Sequence, residues 1–184
     1  MPVVATTAAP DVARRPSRFQ RWVQRIVAQP SVTRRVARLA HGIDSRLLAW
    51  SGDRLCLTTA LIGLPVTRVT TIGARTGLPR TLPLTALPDD DRLALIASNF
   101  GRGHAPGWLY NLRAHPQAET HHGARRRRWS AREATAEEHA RVWRRAVELY
   151  PGYADYAARA APRPVPIVIL TPTDGVSLDG TVVP

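Results

Sequence analysis

The chain of 184 residues contains no lysine, one cysteine (Cys56) and no long apolar run. A single cysteine excludes an internal disulfide and a cysteine-rich zinc site. No apolar stretch approaches the roughly 18 residues that a membrane-spanning helix needs, and the N-terminus lacks the apolar core and cleavage site of a secretory signal. We therefore expect a cytoplasmic protein.

Because lysine is absent, all 26 basic residues are arginines, and with 14 acidic residues they give a formal net charge of +12. Arginine makes planar, bidentate contacts to phosphate and carboxylate that lysine cannot copy. The composition therefore favours a polyanionic partner, which could be a phosphate-bearing cofactor, an anionic membrane surface or nucleic acid. Composition alone does not choose among them.

The length suits one hydrophobic core with an extension rather than two ordinary domains. Residues 1–13 are small and proline-punctuated, and we predict a disordered lead-in there. Residues 14–50 are predicted to form a basic helical extension, and residues 51–174 a β-rich domain. Residues 175–184 form a C-terminal tail.

The extension carries apolar residues at helical spacing, beginning with Phe19, Trp22 and Val23, while arginines fall on the opposite face. A second apolar series that includes Ile43 and Leu47 predicts another helix. A basic amphipathic helix is typical of a protein that docks on an anionic membrane, here the inner face. The alternative is that the apolar stripe packs on the barrel or on a partner subunit, and we expect no nucleic-acid partner.

Short β-rich runs separated by turn signals follow, which predicts a barrel. Pro79, Pro83 and Pro88 surround one run and favour an edge strand or a bulge at that point. The runs comprise residues 54–59, 66–73, 80–87, 92–98, 117–122, 125–131 and 165–171.

Two helices are predicted between these strands. The first starts with Pro106 in its first turn and has an apolar face that includes Trp108. The second begins after Thr135, whose spacing from Glu138 is that of a capping box, and stops at Pro151.

The first candidate binding element is the glycine-flanked turn from Gly73 to Arg80. Gly73 and Gly77 allow a tight turn whose backbone N–H groups converge on an anion, and Arg75 and Arg80 add charged donors. Thr76 adds a hydroxyl. The alternative is a solvated hairpin with no ligand.

The second candidate runs from Ser98 through a glycine-rich loop into the helix that carries Trp108 and Asn111. Exposed hydroxyl, amide and backbone donors of Ser98, Asn99 and Gly101 would lie beside the positive end of a helix, which suits a flat heterocycle with carbonyl groups. The alternative is a β–α connection with a buried Trp108 and a locally capping Asn111.

Tyr150, Tyr153 and Tyr156 are spaced so that neighbouring members share a helical face. Two rings could flank a flat substrate, and a phenol could donate a hydrogen bond or a proton. The alternative is that the three rings only cover the end of the barrel.

Three other features predict no chemistry. His121 and His122 are adjacent on a probable strand and point to opposite faces, so we expect no metal site. The run from Arg125 to Arg128 is predicted to be a solvent-exposed face. Cys56 is expected to be a buried structural thiol within a strand.

Three blocks together make the chain resemble the deazaflavin (F420)-dependent nitroreductase family. They are Thr-Thr-Ile-Gly-x-Arg-Thr-Gly-x-x-Arg from Thr70, the block from Ala97 through Trp108 and Asn111 to Pro116, and the tyrosine block leading to Leu170. The resemblance implies an α+β, mainly β fold: a split β-barrel of the FMN-binding/pyridoxamine-phosphate-oxidase type with peripheral helices. It also implies that residues 51–174 bind a coenzyme and that the protein is a monomer or a homodimer.

The resemblance also implies roles for single residues. Arg75, Thr76 and Arg80 correspond to contacts with the phosphate and oligoglutamate tail of coenzyme F420. Ser98, Asn99 and Gly101 correspond to neighbours of the deazaflavin ring, and Trp108 and Asn111 to residues that shape its pocket. Ser98 and the three tyrosines correspond to positions that bind and protonate the electron acceptor.

The function that these inferences predict is hydride transfer from reduced F420 to a small electron-poor acceptor such as a nitroaromatic, a quinone or an enone. One alternative is a flavin mononucleotide (FMN) reductase on the same barrel. Another is a protein that binds F420 without catalysis, and a third is a basic membrane or nucleic-acid adaptor.

Overall fold

The computed structural model describes residues 16–27, 42–51, 56–122 and 125–173. The predicted lead-in and C-terminal tail lie outside the described residues, as does most of the second predicted helix. The helices are α1 (Arg18–Val27), α2 (residues 42–51), α3 (Leu57–Ile62), α4 (Gly107–Ala114), α5 (Ala136–Leu149) and α6 (Gly152–Ala160). The strands are β1 (Val66–Ile72), β2 (Pro79–Asp89), β3 (Arg92–Ile96), β4 (Gln117–His122), β5 (Arg125–Glu133) and β6 (Ile167–Thr173), and Asn99–Gly101 form a 3-10 turn.

The six strands form a closed antiparallel barrel in the order β1-β2-β3-β6-β5-β4, and β4 pairs with β1 to complete it. Alternation along the strands separates two sets of side chains. In β3, Leu93 and Leu95 belong to one core cluster and Ala94 to another. The predicted α+β split β-barrel with peripheral helices is confirmed.

Strand β2 changes partners along its length. Its first part, from Pro79 to Thr85, pairs with β1, and its second part, from Ala86 to Asp89, pairs with β3. Pro79 and Pro83 therefore each face a single paired neighbour, although β2 lies inside the sheet order. The proline pattern predicted an edge strand or a bulge. The edge strand is wrong, because β2 pairs with β1 along its first part and with β3 along its second part.

The hydrophobic core has two parts. One combines barrel side chains with the buried face of α4, namely Trp108, Leu109 and Leu112. The other lies between β3, β6 and the pair α5 and α6, and it includes the three tyrosines. Both faces of the sheet are therefore covered near β3.

The helix ends follow the predicted signals closely. Thr135 accepts a hydrogen bond from the backbone N–H of Glu138, whose side chain in turn accepts one from the backbone N–H of Thr135, so the capping box of α5 is confirmed. Pro106 lies at the N-cap of α4, one position before the predicted first turn.

The expected strand around Cys56 is wrong, because residues 57–62 form helix α3. The backbone N–H groups of Leu57 and Thr58 donate to Asp44 Oδ1 at 2.8 and 3.2 Å. A carboxylate from α2 thus caps α3, and this contact between distant residues overrides the strand-like pattern. Cys56 is half-buried at the N-cap position.

Helix α1 is held against α3 and the end of α5 by hydrogen bonds of its glutamine side chains, not by packing of its aromatic residues. Gln24 is buried, and its Nε2 donates to the carbonyl oxygens of Ile62 (2.7 Å) and Leu149 (3.0 Å). Phe19 and Trp22 stack on each other at 6.3 Å and are 59% and 60% exposed. None of the helices within the described ranges is long and apolar enough to cross a membrane.

Candidate functional site

A cavity of about 850 Å³ lies between β2, the loop after β3, and helices α2, α3 and α6. This volume is typical of a small-molecule or cofactor pocket. Its apolar wall includes Ile62, Leu64, Leu82, Pro83, Leu84, Ile96, Phe100 and Trp108. Its polar groups come from Asp44, Ser45, Thr58, Thr85, Ser98, Asn99, Arg102, His104, Tyr110, Tyr150, Tyr153 and Tyr156.

The three predicted tyrosines meet at one side of this cavity. Their rings lie 5.5 to 6.1 Å apart, and each side chain is at least nine-tenths buried. The hydroxyl oxygens of Tyr150 and Tyr156 are 3.0 Å apart. Tyr150 terminates α5 while the other two belong to α6, so the chain turn at Pro151 brings them together.

Burial raises the pKa of all three phenols above their ordinary value of 10.0. They are therefore neutral at physiological pH. One hydroxyl of the Tyr150–Tyr156 pair donates its proton to the hydrogen bond between them. The proton of the other hydroxyl is left for an acceptor atom in the cavity. The pair is suited to donating a hydrogen bond rather than to giving up a proton.

The loop from Ser98 to Gly101 has an unusual backbone. Asn99, Phe100 and Gly101 have φ values of 47°, 56° and 76° in succession, and such conformations are costly for the first two. The side chain of Asn99 holds the loop by donating to the carbonyl oxygen of His104 at 2.9 Å. The loop places the Phe100 ring in an edge-to-face contact with the Tyr156 ring, with 5.9 Å between the ring centroids.

Gly101 allows this loop to approach α6 closely. A Cβ atom at this position would lie 2.9 Å from the Arg159 Cβ and from the Tyr156 carbonyl oxygen. No side chain fits in that space without movement of the loop. Gly101 therefore lies behind the cavity wall, against α6, and does not line the cavity.

Arg163 fixes the same loop and was not identified from the sequence. Its guanidinium donates to the carbonyl oxygens of Ala97 (3.3 Å), Ser98 (3.0 Å) and Arg102 (3.1 Å). A planar fork with five N–H donors is suited to such a set of carbonyls. No sequence pattern marks a residue that acts only on backbone oxygens, so no signal could have found it.

The predicted anion-binding turn forms the hairpin between β1 and β2. The Gly73 N–H donates to the Leu78 carbonyl oxygen at 2.9 Å, and Gly77 adopts a φ of 65°. Arg75, Thr76 and Arg80 are exposed on this turn. None of the five predicted turn residues lines the cavity, so the turn and the cavity are adjacent but distinct surfaces.

Asn111 connects the turn to helix α4. Its Nδ2 donates to Thr71 Oγ1 at 3.0 Å, and its Oδ1 accepts from the Ala74 N–H at 3.0 Å. Asn111 does not line the cavity, whereas Trp108 on the same helix does. The side chain therefore holds the turn in place relative to the cavity wall.

Helix α2 contributes a wall that the sequence did not predict. Gly42, Asp44 and Ser45 line the cavity, although we had assigned no chemical role to the extension. Asp44 is buried and also bonds to the Thr58 hydroxyl. Detecting this wall required knowledge of how α2 packs.

The structure thus brings together six of the predicted site residues around one cavity: Ser98, Asn99, Trp108, Tyr150, Tyr153 and Tyr156. Among the described residues, no group of three or more His, Cys, Asp or Glu side chains is arranged to hold a metal ion. The cavity combines hydroxyl, amide and aromatic groups with the charged residues Asp44 and Arg102, and an exposed arginine turn lies beside it.

The family model described as F420H(2)-dependent quinone reductase matches residues 53–172. The chain belongs to this family, which confirms the predicted F420-dependent oxidoreductase class.

Individual relatives agree with this assignment. The chain is 36% identical over 104 residues to the F420H(2)-dependent quinone reductase Rv1261c of Mycobacterium tuberculosis. The matched segment is 55% of this chain and 69% of the relative. The solved F420-H2 dependent reductase FDR-A superposes with a TM-score of 0.52 at 34% identity and covers 58% of this chain and 93% of that structure. A structure described as a domain-swapped dimer superposes with a TM-score of 0.53 at 34% identity. The match covers 58% of this chain and 79% of that structure.

The family uses coenzyme F420, so the comparisons favour F420 over the alternative FMN. Family membership also favours an enzyme over a non-catalytic binding protein or an adaptor. The matched residues include the barrel, the arginine turn and the tyrosines, but they exclude helices α1 and α2.

Proposed function

We propose that this chain catalyses the two-electron reduction of a quinone by reduced F420 within the cavity. The observation that carries the proposal is the position of the Tyr150–Tyr156 pair, which faces the same cavity as Ser98 and Trp108. The bound coenzyme would supply a hydride, and a proton from solvent would complete the hydroquinone. The protein's residues bind, orient and exclude water.

The residues present fit the coenzyme. An anionic tail requires cationic donors, and Arg75 and Arg80 are exposed on a turn whose position Asn111 fixes. A flat ring requires an apolar wall and a few hydrogen-bond donors, and Trp108 and Ser98 supply these within the cavity. We assign the turn to the tail and the cavity to the ring and the acceptor.

The phenol pair is proposed to polarise the acceptor. A quinone carbonyl gains negative charge as it accepts a hydride, and a neutral O–H donor in a buried site stabilises that charge. The raised pKa of Tyr156 keeps its proton in place, so the donor remains neutral and available. Ser98 is proposed as a second donor from the opposite loop.

Parallel titration of the purified protein with F420 and with FMN tests the coenzyme assignment. We expect F420 to bind more tightly, and Arg75→Ala to weaken F420 binding more strongly at low salt than at high salt. Arg144→Ala, which removes an exposed arginine from α5, is the matched control. Equal binding of both coenzymes, or preference for FMN, would overturn the assignment.

The acceptor range is proposed to extend to nitroaromatics and enones. All three classes are flat, poor in electrons and carry an oxygen atom that can accept a hydrogen bond from the phenol pair. Consumption of F420H2 measured with one member of each class would decide the range. Consumption with the quinone alone would restrict the proposal to quinones.

The exposed aromatic residues of α1 and α2 are proposed to dock on the inner face of an anionic membrane. Phe19, Trp22 and Trp50 are 59%, 60% and 81% exposed, and the exposed Arg21 and Arg46 lie on the same two helices. Aromatic rings beside arginines suit the interface of an anionic bilayer. Quinones with long side chains dissolve in such a bilayer.

Co-sedimentation with lipid vesicles tests the docking proposal. We expect more protein on vesicles containing phosphatidylglycerol than on vesicles of phosphatidylcholine alone, and less after Trp22→Ser or Trp50→Ser. Tyr110→Ser, at an exposed aromatic residue of α4, is the control. Equal binding by wild type and both tryptophan variants would contradict the proposal.

A homodimer is the oligomeric state that we propose, because a related structure is described as a domain-swapped dimer. Light scattering coupled to size-exclusion chromatography distinguishes the homodimer from the monomer.

A further inference from the structure

We infer that helix α2 forms the acceptor end of the cavity and that the space beside Gly42 sets which acceptors fit. This inference rests on the proposed quinone reduction, because it names the residues that select the quinone. Gly42 precedes the region shared with the family, residues 53–172, so the selectivity would be a property of this chain's extension.

The direction of the cavity follows from the pairing of β1 with β2. Ile72 pairs with Pro79 next to the arginine turn, whereas Val66 pairs with Thr85 at the opposite end of the ladder. Six residue steps of antiparallel strand separate these ends by about 20 Å. Residues 82–85 of β2 line the cavity, so the cavity extends along the ladder from the arginine turn toward its opposite end.

Helices α3 and α2 lie at the end of the ladder far from the arginines. Helix α3 and Leu64 directly precede β1, and the Ala86 N–H donates to the Pro65 carbonyl oxygen at 3.0 Å. Asp44 then fixes α2 to α3 through the backbone N–H groups of Leu57 and Thr58. If the coenzyme tail lies at the turn, the far end is left to the acceptor.

Gly42 has open space beside it in the cavity wall. A Cβ atom built on it meets no atom of the described residues within 4 Å, and its φ is not in the left-handed region. A leucine at this position therefore fits the backbone and reduces the free space beside the wall. Gly103, in the loop after the 3-10 turn, has equally open surroundings but does not line the cavity.

The test compares Gly42→Leu with Gly103→Leu in the full-length protein. The probes are 2-methyl-1,4-naphthoquinone and the same ring carrying one isoprenyl unit, and their binding is followed without coenzyme by quenching of tryptophan fluorescence. We expect Gly42→Leu to weaken binding of the prenylated quinone by about tenfold and binding of the bare ring much less. Gly103→Leu is expected to match the wild type.

Ile62→Ala provides the reciprocal change, because it enlarges the same wall from α3. We expect it to favour the prenylated quinone over the bare ring relative to wild type. If Gly42→Leu does not fold, the quinone preference of Ile62→Ala tests whether this wall contacts the acceptor. F420 affinity is measured for each variant and is expected to remain that of the wild type.

Three results would overturn the inference: no quinone binding by wild type, equal quinone binding by Gly42→Leu and Gly103→Leu, or a loss of F420 affinity in Gly42→Leu instead. A different result separates the two proposals. Quinone binding that responds to Gly42→Leu, in a protein that consumes no F420H2 with any quinone, supports the acceptor wall and contradicts the proposed reaction.

Discussion

Tyr150 and Tyr156 place their hydroxyl oxygens 3.0 Å apart inside the cavity, although one residue terminates α5 and the other lies in the middle of α6. The spacing of six residues suggested only that neighbouring tyrosines share a helical face. The actual arrangement depends on the turn at Pro151, which redirects the chain between two helices.

Removal of one hydroxyl from this pair tests its role. We expect Tyr156→Phe to lower kcat for quinone reduction by about tenfold, because the cavity loses a hydrogen-bond donor while the ring remains. Tyr153→Phe is the matched control, since the Tyr153 hydroxyl interacts with Thr85. Steady-state kinetics measure both, and equal kcat values for Tyr156→Phe and wild type would refute a polarising role.

Replacement of Arg163 tests the positioning of the loop. We expect Arg163→Met to lower kcat/KM for the quinone by about 10-fold to 100-fold, because the carbonyl groups of Ala97, Ser98 and Arg102 lose their shared donor. Arg163→Lys should restore part of the activity. A variant that melts earlier but retains wild-type kcat and KM would show that Arg163 only stabilises the fold.

The close approach of the loop to α6 predicts that Gly101→Ala is destabilising. The added Cβ meets the Tyr156 carbonyl oxygen at 2.9 Å, and the φ of 76° is unfavourable for alanine. We expect a loss of about 1–3 kcal/mol in the free energy of unfolding. Gly103→Ala, with open space around it, should unfold like the wild type. Urea denaturation distinguishes the two.

Acid should destabilise the junction of β2 with α5. The Arg141 guanidinium, hydrogen-bonded to buried Asp89, holds the pKa of that carboxyl below its ordinary value of 3.8. Below pH 3.8 the unfolded chain therefore takes up a proton at this position before the folded chain does. Stability present above that pH is lost as the pH falls through the lower pKa of the folded state.

Thermal melting between pH 5 and pH 2 measures this loss. We expect Asp89→Asn to be less stable than wild type near neutral pH and to lose less stability on acidification. Asp91→Asn changes an exposed carboxyl in the same turn and should follow the wild-type curve. Parallel curves for wild type and Asp89→Asn would contradict the assignment.

Local patterns predicted most of the barrel. Six of the seven β-rich runs form strands, because alternation and turn signals act between near neighbours. The run around Cys56 failed because its helix is capped by Asp44, which the alternation within residues 54–59 does not reveal. Local propensity was overridden there by a tertiary contact.

The candidate site was predictable where a motif carried it. Ser98, Asn99 and Trp108 come from one continuous block, and the cavity contains all three. The place of Gly42 in the cavity wall and the contacts of Arg163 were missed, because they depend on packing and on carbonyl contacts, which leave no periodic signal. Asn111 was predicted to shape the pocket, whereas in the structure it contacts the arginine turn and does not line the cavity.

Asn111 bridges Thr71 and Ala74 and so fixes the arginine turn against helix α4. Arg75 and Arg80 lie on the exposed surface of that turn, so a coenzyme tail bound to them would face solvent. A coenzyme tail held at its proximal charges would continue into water. Forms of the coenzyme that differ in tail length should then be accepted almost equally, since the additional residues would extend beyond the groove.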